Sequence, residues 1–358
     1  MRIAVLGVGL IGGSIGLAAR ARVDAEVCGY DPDPGVRARA LEVGAVDRAC
    51  ADLADAVAGA GAVFVAAPVG ALRETVAAAL DAAGPDCVVS DVGSTKRILA
   101  EAASDERFVG GHPLAGAETA GVEHARATLF DGATWYLTPT RESTAGVLYE
   151  RLHGLLRKLG ANPTAIDADK HDRLMACVSH LPHVLANLLA SQAAGLLAAD
   201  GAQRLPAVGP SFRDAIRVAG SNSAIWTDIY MSNRDALTDA IDELSGRLER
   251  ARAALVAGDA PAVTAWNERA RGDRDALLGA GEQGAPIHEL TVSVPNRPGV
   301  VAEIALALGD AGVNILDMVL SPSEDNRQGV ISLWIGTDTE AGQADGLIAG
   351  LGFPVARA

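Results

Sequence analysis

The chain predicts an α/β protein in three parts: an N-terminal Rossmann-type doubly wound parallel sheet, a central all-α domain, and a C-terminal ferredoxin-like β-α-β-β-α-β unit. Three observations lead there. Apolar runs alternate with helical patterns over residues 1–165. Strand signals vanish over 166–280, and β signals return over 288–358. In the first part, "RIAVLGV", "EVCGYD", "AVFVAAP", "CVVSDVG", "RFVGGHP" and "TWYLTPT" read as strands, with helices over 12–21, 34–43 and 70–83 between them. Such alternation calls for a parallel sheet covered by helices. The middle is long Ala/Leu helices with charged faces, and "GAGEQGAP" (279–286) makes a small-residue linker. After it come "HELTVSV", "GVVAEIALALGDAG", "VNILDMVLS", "GVISLWIG", "EAGQADGLIAGLG" and "FPVAR", in the order that defines the last unit.

The 358 residues allow two or three substantial cores. A net charge of −15 and a pI near 4.9 exclude a non-specific nucleic-acid binder. Cys28, Cys50, Cys87 and Cys177 are scattered without a C-x-x-C pair, so neither a disulfide framework nor a zinc site is expected, and a reducing cytoplasm fits. Two stretches imitate membrane signals. Residues 3–19 resemble a signal-peptide core but hold five glycines, and 174–199 lack charge but carry dispersed polar groups. The second predicts a helix buried on all sides in protein, at a subunit interface of a homodimer.

"VLGVGLIGGSIG" places Gly7, Gly9 and Gly12 as G-x-G-x-x-G directly after the first strand. The glycines allow a tight turn, close approach of a pyrophosphate and close packing of the next helix, whose N-terminus, from Leu10 and Ile11, faces the phosphates. Asp31 closes the next apolar run nineteen positions after Gly12, where a carboxylate accepts from ribose hydroxyls. With no arginine immediately after it, Asp31 favours NAD over NADP.

Ligands of open α/β sheets lie outside the carboxyl ends of the strands. "AAPV" with Pro68, "SDVGSTK" with Ser94 and Lys96, and "GGHPLAGAE" with His112 and Glu118 all fall there. Alcohol oxidation needs a group to take the hydroxyl proton as hydride leaves, and histidine titrates in the right range. The alternative for His112 is that it fills a turn. In "SHLPH", His180 and His183 share a helix face, and H-x-x-H without a third ligand is weak metal spacing. Arg213 and Arg217 stand one turn apart before Ser221 and Trp226. Arg217 either faces an anionic substrate or pairs with Asp214 on a solvated face.

Together, "GVGLIGGSIG", "DVGSTK", "GGHPLAGAE", "SHLPH" and "FRDAIRVAGSNSAIW" resemble, in order and spacing, the prephenate/arogenate dehydrogenases of tyrosine biosynthesis. The tail from about 288 resembles an ACT domain, a regulatory module that commonly binds amino acids. The resemblance implies NAD-dependent oxidative decarboxylation of prephenate. His112 would polarise the C4 hydroxyl, Ser94 would orient it, Arg217 would clamp a carboxylate, and His183 and Ser221 would complete the pocket. Arogenate is the alternative substrate, because Ala117 stands where many members have threonine. In the tail, Asn296, Gly299 and Asn314 would contact a tyrosine effector. A related 3-hydroxy-acid or imine reductase would normally use a lysine in the helical part, where Lys170 is the only one. A non-catalytic NAD- and amino-acid-binding regulator would explain the glycines and the tail, but not Ser94, His112, His183 and Arg217 together.

Overall fold

The computed structural model describes residues 1–99, 102–116, 119, 121–139, 146–199, 209–282, 288–295, 297, 299–322 and 328–357. Five strands, β1 (Arg2–Leu6), β2 (Glu26–Tyr30), β3 (Arg48–Cys50), β4 (Ala62–Val65) and β5 (Val88–Asp91), form a parallel sheet in the order β3-β2-β1-β4-β5. Ile3, Ala4, Val5 and Leu6 are all fully buried. Helices cover both faces of such a sheet, so its strands are unbroken apolar runs without alternation. The order of strands reverses between β1 and β4, and the loops after these two flank the crevice where such sheets bind ligands. The helices Leu10–Val23, Pro34–Glu42 and Leu72–Ala82 occupy the three expected stretches. Pro34 opens the second and Asp33 caps it, accepting from Gly35 N at 2.7 Å.

The sequence places "RFVGGHP" and "TWYLTPT" in the same parallel sheet. They form a second one instead. β6 (Gly110–Pro113) pairs antiparallel with β7 (Thr134–Thr138), and β7 pairs parallel with β8 (Asn162–Ala165). A parallel crossover needs a long connection, usually a helix. Among the described residues between β6 and β7 the only helical piece is the short turn Val122–His124, whereas the helix Val147–Lys158 joins β7 to β8. A parallel bridge between Val89 and Phe108 ties the second sheet to β5.

The tail adds β9 (His288–Pro295), β10 (Ile315–Pro322), β11 (Gln328–Ile335) and β12 (Val355–Arg357) in an antiparallel sheet of order β10-β11-β9-β12, with helices Val300–Asp310 and Asp338–Gly350. This is the expected β-α-β-β-α-β unit. Lys170 Nζ donates to the carbonyls of Gly309 and Asp310, at 2.8 Å each, capping the C-terminal end of the first of these helices.

Two compact units result: 1–172 with 224–232 and 288–358, and 173–223 with 233–287. The helix Ser223–Ser232 sends Ile229 and Trp226 into an apolar cluster of the first unit with Leu72 and Val76. In the second unit lie Leu181–Ala199, Pro210–Ala215, Arg234–Ala257 and Ala260–Glu282. The last of these runs through the first half of the expected linker, and the rest of that linker, 283–286, lies outside the described residues.

The segment Ala168–Leu196 is long and apolar enough to cross a membrane by length and composition. The expectation that this helix is buried on all sides does not hold within one chain. Leu188 is 60% exposed and Leu196 65%. Among the described residues, the other helices leave part of its apolar surface uncovered.

Candidate active site

The nucleotide cradle begins at Gly7, whose φ of +93° and contact with the next loop both exclude a side chain. A Cβ there would sit 2.5 Å from Ala66 O. Gly12 likewise lets the helix lie against the carbonyl of Gly7. Gly9 caps the helix Leu10–Val23, and nothing stands within 4 Å of where its Cβ would be. The first intrahelical bond is Gly13 N to Gly9 O, at 2.8 Å. The N–H groups of Leu10, Ile11 and Gly12 therefore precede the helical ladder and are oriented for an anion. Asp31 accepts from Val8 N at 3.2 Å and from Asp33 N at 3.1 Å, which fixes its carboxylate at the end of β2. Pro68 is exposed in the loop after β4. Open space above Gly9, a helix N-terminus and a fixed carboxylate fit a dinucleotide. Arg37 was not foreseen. It donates to the carbonyls of Asp31 (2.5 Å) and Pro32 (3.2 Å).

His112 lies on β6, opposite Tyr136 of β7. Its strand is held by a buried ion pair between Lys96 and Asp91. Lys96 Nζ also donates to Gly111 O at 2.5 Å, while Asp91 accepts from Gly111 N at 3.0 Å and Gly93 N at 2.8 Å. Burial pulls the Lys96 ammonium below its ordinary pKa even though Asp91 opposes the shift. A Cβ on Gly111 would stand 2.6 Å from Asp91 O. The glycine pair before His112 thus allows two strands to meet. Lys96, which the sequence places at the ligand-binding ends of the strands, is instead the internal partner of Asp91. The Ser94 hydroxyl oxygen is buried and has no hydrogen-bond partner among the described residues. Ala117 and Glu118 lie outside the described residues.

His112 has a buried neighbour the sequence did not suggest. Its Nδ1 lies 2.9 Å from Nε2 of His171, and His171 Nδ1 lies 2.8 Å from Asp172 Oδ1. Asp172 also accepts from the backbone N–H groups of Lys96 (2.8 Å) and Arg97 (3.0 Å). Both His171 and Asp172 are fully buried. Burial lowers the pKa of His171 although Asp172 pulls it up. For Asp172, burial pushes upward, but the hydrogen bonds from His171, Arg97 and Lys96 win and hold the carboxyl below its usual range. In "ADKHDRLM" these residues look like the polar start of an exposed helix, and only the spacing-blind fact of a His-Asp pair was available to flag them.

The second unit holds the other sequence-predicted residues. Pro182 removes a backbone donor, and the five residues Ala176–His180 just before it are wound as a π-helix. His180 is buried against Asn233, 3.3 Å from its Nδ2, whereas His183 is half-buried. Burial and the nearby charge of Arg217 lower the pKa of His183. The helix Pro210–Ala215 ends before Arg217, so Arg213 and Arg217 do not share a helix face and Arg217 stands in the following turn. That turn is fastened where Gly220 N donates to Asn187 Oδ1 at 3.2 Å and the Ser221 hydroxyl donates to Val218 O at 2.8 Å. Asn187 is one turn beyond His183 on the same helix face.

In the tail, Gly299 has φ +89° and caps the helix Val300–Asp310, and Asn314 is exposed just before β10. Asn296 lies outside the described residues.

Cradle and strand-end histidine within one α/β unit define a dinucleotide-binding oxidoreductase. Family models described as the nucleotide-binding domain and the dimerization domain of prephenate dehydrogenase match residues 15–164 and 167–268, and an ACT domain matches 288–338. The chain belongs to the prephenate/arogenate dehydrogenase family and carries a C-terminal ACT domain. It is 29% identical to prephenate dehydrogenase of Bacillus subtilis (strain 168), over 96% of this chain and 94% of that one. It is 33% identical to cyclohexadienyl dehydrogenase of Zymomonas mobilis, over 72% of this chain and 89% of that one. Among solved structures it is similar to prephenate dehydrogenase from A. aeolicus in complex with hydroxyphenyl propionate and NAD⁺, with a TM-score of 0.70 and 26% identity, over 77% of this chain and 98% of that one.

Proposed function

We propose that the protein is an NAD-dependent prephenate dehydrogenase, converting prephenate to 4-hydroxyphenylpyruvate and CO₂. The observation that carries this is His112, a strand-end histidine hydrogen-bonded at 2.9 Å to a second histidine, in the same unit as the glycine cradle. Bound NAD⁺ supplies the acceptor for the hydride that leaves C4 of the substrate. His112 takes the proton of the C4 hydroxyl, so the carbinol carbon becomes a carbonyl. The ring carboxylate then leaves as CO₂, its bonding electrons aromatise the ring, and His112 returns the proton to the phenol oxygen. No net proton is gained or lost. The buried hydroxyl of Ser94 orients the substrate hydroxyl. Arg217 holds a substrate carboxylate, and His183, kept neutral, adds a hydrogen bond without adding charge.

The two chains act as a homodimer through the helical part, which supports it with exposed Leu188, Leu189 and Leu196. Light scattering on the purified protein tests this, and a monomer at micromolar concentration sinks it. The ACT domain senses tyrosine through Asn296, Gly299 and Asn314, and the free cysteines support a cytoplasmic setting. The decisive experiment for the activity is absorbance of NADH when the protein is mixed with NAD⁺ and prephenate, then with arogenate. Turnover of prephenate is expected. Preference for arogenate would move the assignment to the alternative substrate, and turnover of neither would leave a regulator.

A further inference from the structure

We propose that His171 and Asp172 are positioning residues that fix His112 in one tautomer and stabilise its protonated form. The proposal rests on the function above only in naming which proton is moved. The geometry carries the rest.

Asp172 is fully buried, and its partners at hydrogen-bond distance include two backbone N–H groups at 2.8 and 3.0 Å and Arg97 Nε at 3.4 Å. Surrounded by donors, the carboxylate accepts. The nitrogen of His171 that faces it at 2.8 Å, Nδ1, must therefore carry a proton. His171 is fully buried, and burial disfavours its cation, so its other nitrogen, Nε2, is a lone pair. His112 Nδ1 lies 2.9 Å from that lone pair and must be the donor. Every hydrogen bond in the series points the same way, from His112 through His171 to Asp172. The consequence for His112 is definite: Nδ1 holds the proton and Nε2 is the basic nitrogen. When Nε2 takes the substrate proton, the new positive charge is compensated through His171 by Asp172. A Ser-His-Asp triad uses the same logic, with a carboxylate setting the tautomer of the histidine that does the work.

Other groups face this series. Tyr136 stacks edge-on against His171 with ring centroids 5.7 Å apart. The Lys96 charge opposes protonation of His171, while Asp91 and Asp172 favour it. Arg97 reaches both Asp169, at 3.7 Å, and Asp172.

The tautomer is tested without substrate. Nitrogen-15 NMR of the histidine rings in the full-length protein, assigned by loss of signals in His112→Asn and His171→Leu, should find both rings neutral near pH 8 and protonated on Nδ1. A proton on Nε2 of either ring overturns the proposal. The kinetic arm uses two variants. His171→Leu should lower kcat about 10–100-fold, less than loss of a base outright, with KM for prephenate and NAD⁺ within about threefold. The acid limb of its kcat profile should move to lower pH, because His112 loses the distant carboxylate. His171→Gln keeps an acceptor toward His112 and should recover most of kcat. If instead both variants lose thermal stability equally while the acid limb stays in place, His171 only packs the core. A protein that ignores prephenate but shows the Nδ1–H rings would sink the assigned function and leave the oriented series standing.

Discussion

The two units handle their polar groups differently. Around His112, charge is buried and the polar contacts include a buried series: Lys96 to Asp91, Asp91 to Gly111, His171 to Asp172. Around Arg217 the turn is partly exposed, its hydrogen bonds include those from Gly220 N to Asn187 and from Ser221 to Val218, and its arginine, itself exposed, follows the end of a six-residue helix. The contrast matches the two tasks proposed for His112 and Arg217. Moving a proton requires one ring nitrogen in one orientation, which only a packed network enforces. Recognising a carboxylate requires a cation at the right distance, which a side chain on a turn provides.

The largest expected effect lies at the packed end. His112→Asn should lower kcat roughly 10²–10⁴-fold with little change in NAD⁺ affinity, measured by steady-state kinetics and nucleotide titration. Near-normal turnover would return His112 to filling a turn. Lys96→Met should cost about 3–5 kcal/mol of unfolding free energy, because Asp91 is left as a buried charge without its cation. Urea unfolding measures it, and a loss below about 1 kcal/mol would mean water reaches Asp91.

The exposed turn should behave otherwise. Arg217→Ala should raise KM for prephenate by an amount equivalent to about 2–4 kcal/mol of binding while leaving stability almost untouched. An unchanged KM would assign Arg217 to a solvated face. Smaller still is the tail. A chain ending at Gly279 should stay active and ignore tyrosine, a coupling of about 1–3 kcal/mol in the full chain. Equal inhibition of both would mean that tyrosine competes at the active site.

The smallest effect concerns acid. His171 has its pKa lowered by burial, so below about pH 6.5 the unfolded chain takes up a proton that the native chain refuses. Its contribution to stability is complete above about pH 6.5 and is lost as pH falls through the native value. Asp172, also shifted down, keeps its contribution until a lower pH, below about 3.9. Urea midpoints of wild type and His171→Gln should therefore converge between about pH 7.5 and about pH 5.5. Parallel curves would show that His171 protonates freely in the folded protein.

Local pattern made much of this legible. Continuous apolar runs announced β1, β2, β4 and β5, and the spacing of Gly7, Gly9 and Gly12 announced the cradle. What it concealed has a common cause. β3, "RAC", and β8, "NPTA", are too short and too polar to show a period, and the sheet holds them by pairing alone. Lys96 reads as a surface lysine, and His171 and Asp172 as a solvated helix start. Their meaning comes from partners 59 and 76 positions away for His171 and Asp172, a distance no window along the chain spans.

The Lys96–Asp91 pair also bears on how the site comes into being. Asp91 and Lys96 stand five positions apart on one segment and both bond Gly111 of β6, so loss of β6 strips each charge of a partner and opens the pair to solvent. The amide hydrogens of Gly93 and Gly111, both bonded to Asp91, should then exchange with solvent only through the opening of the whole unit, so they serve as clocks for its global unfolding.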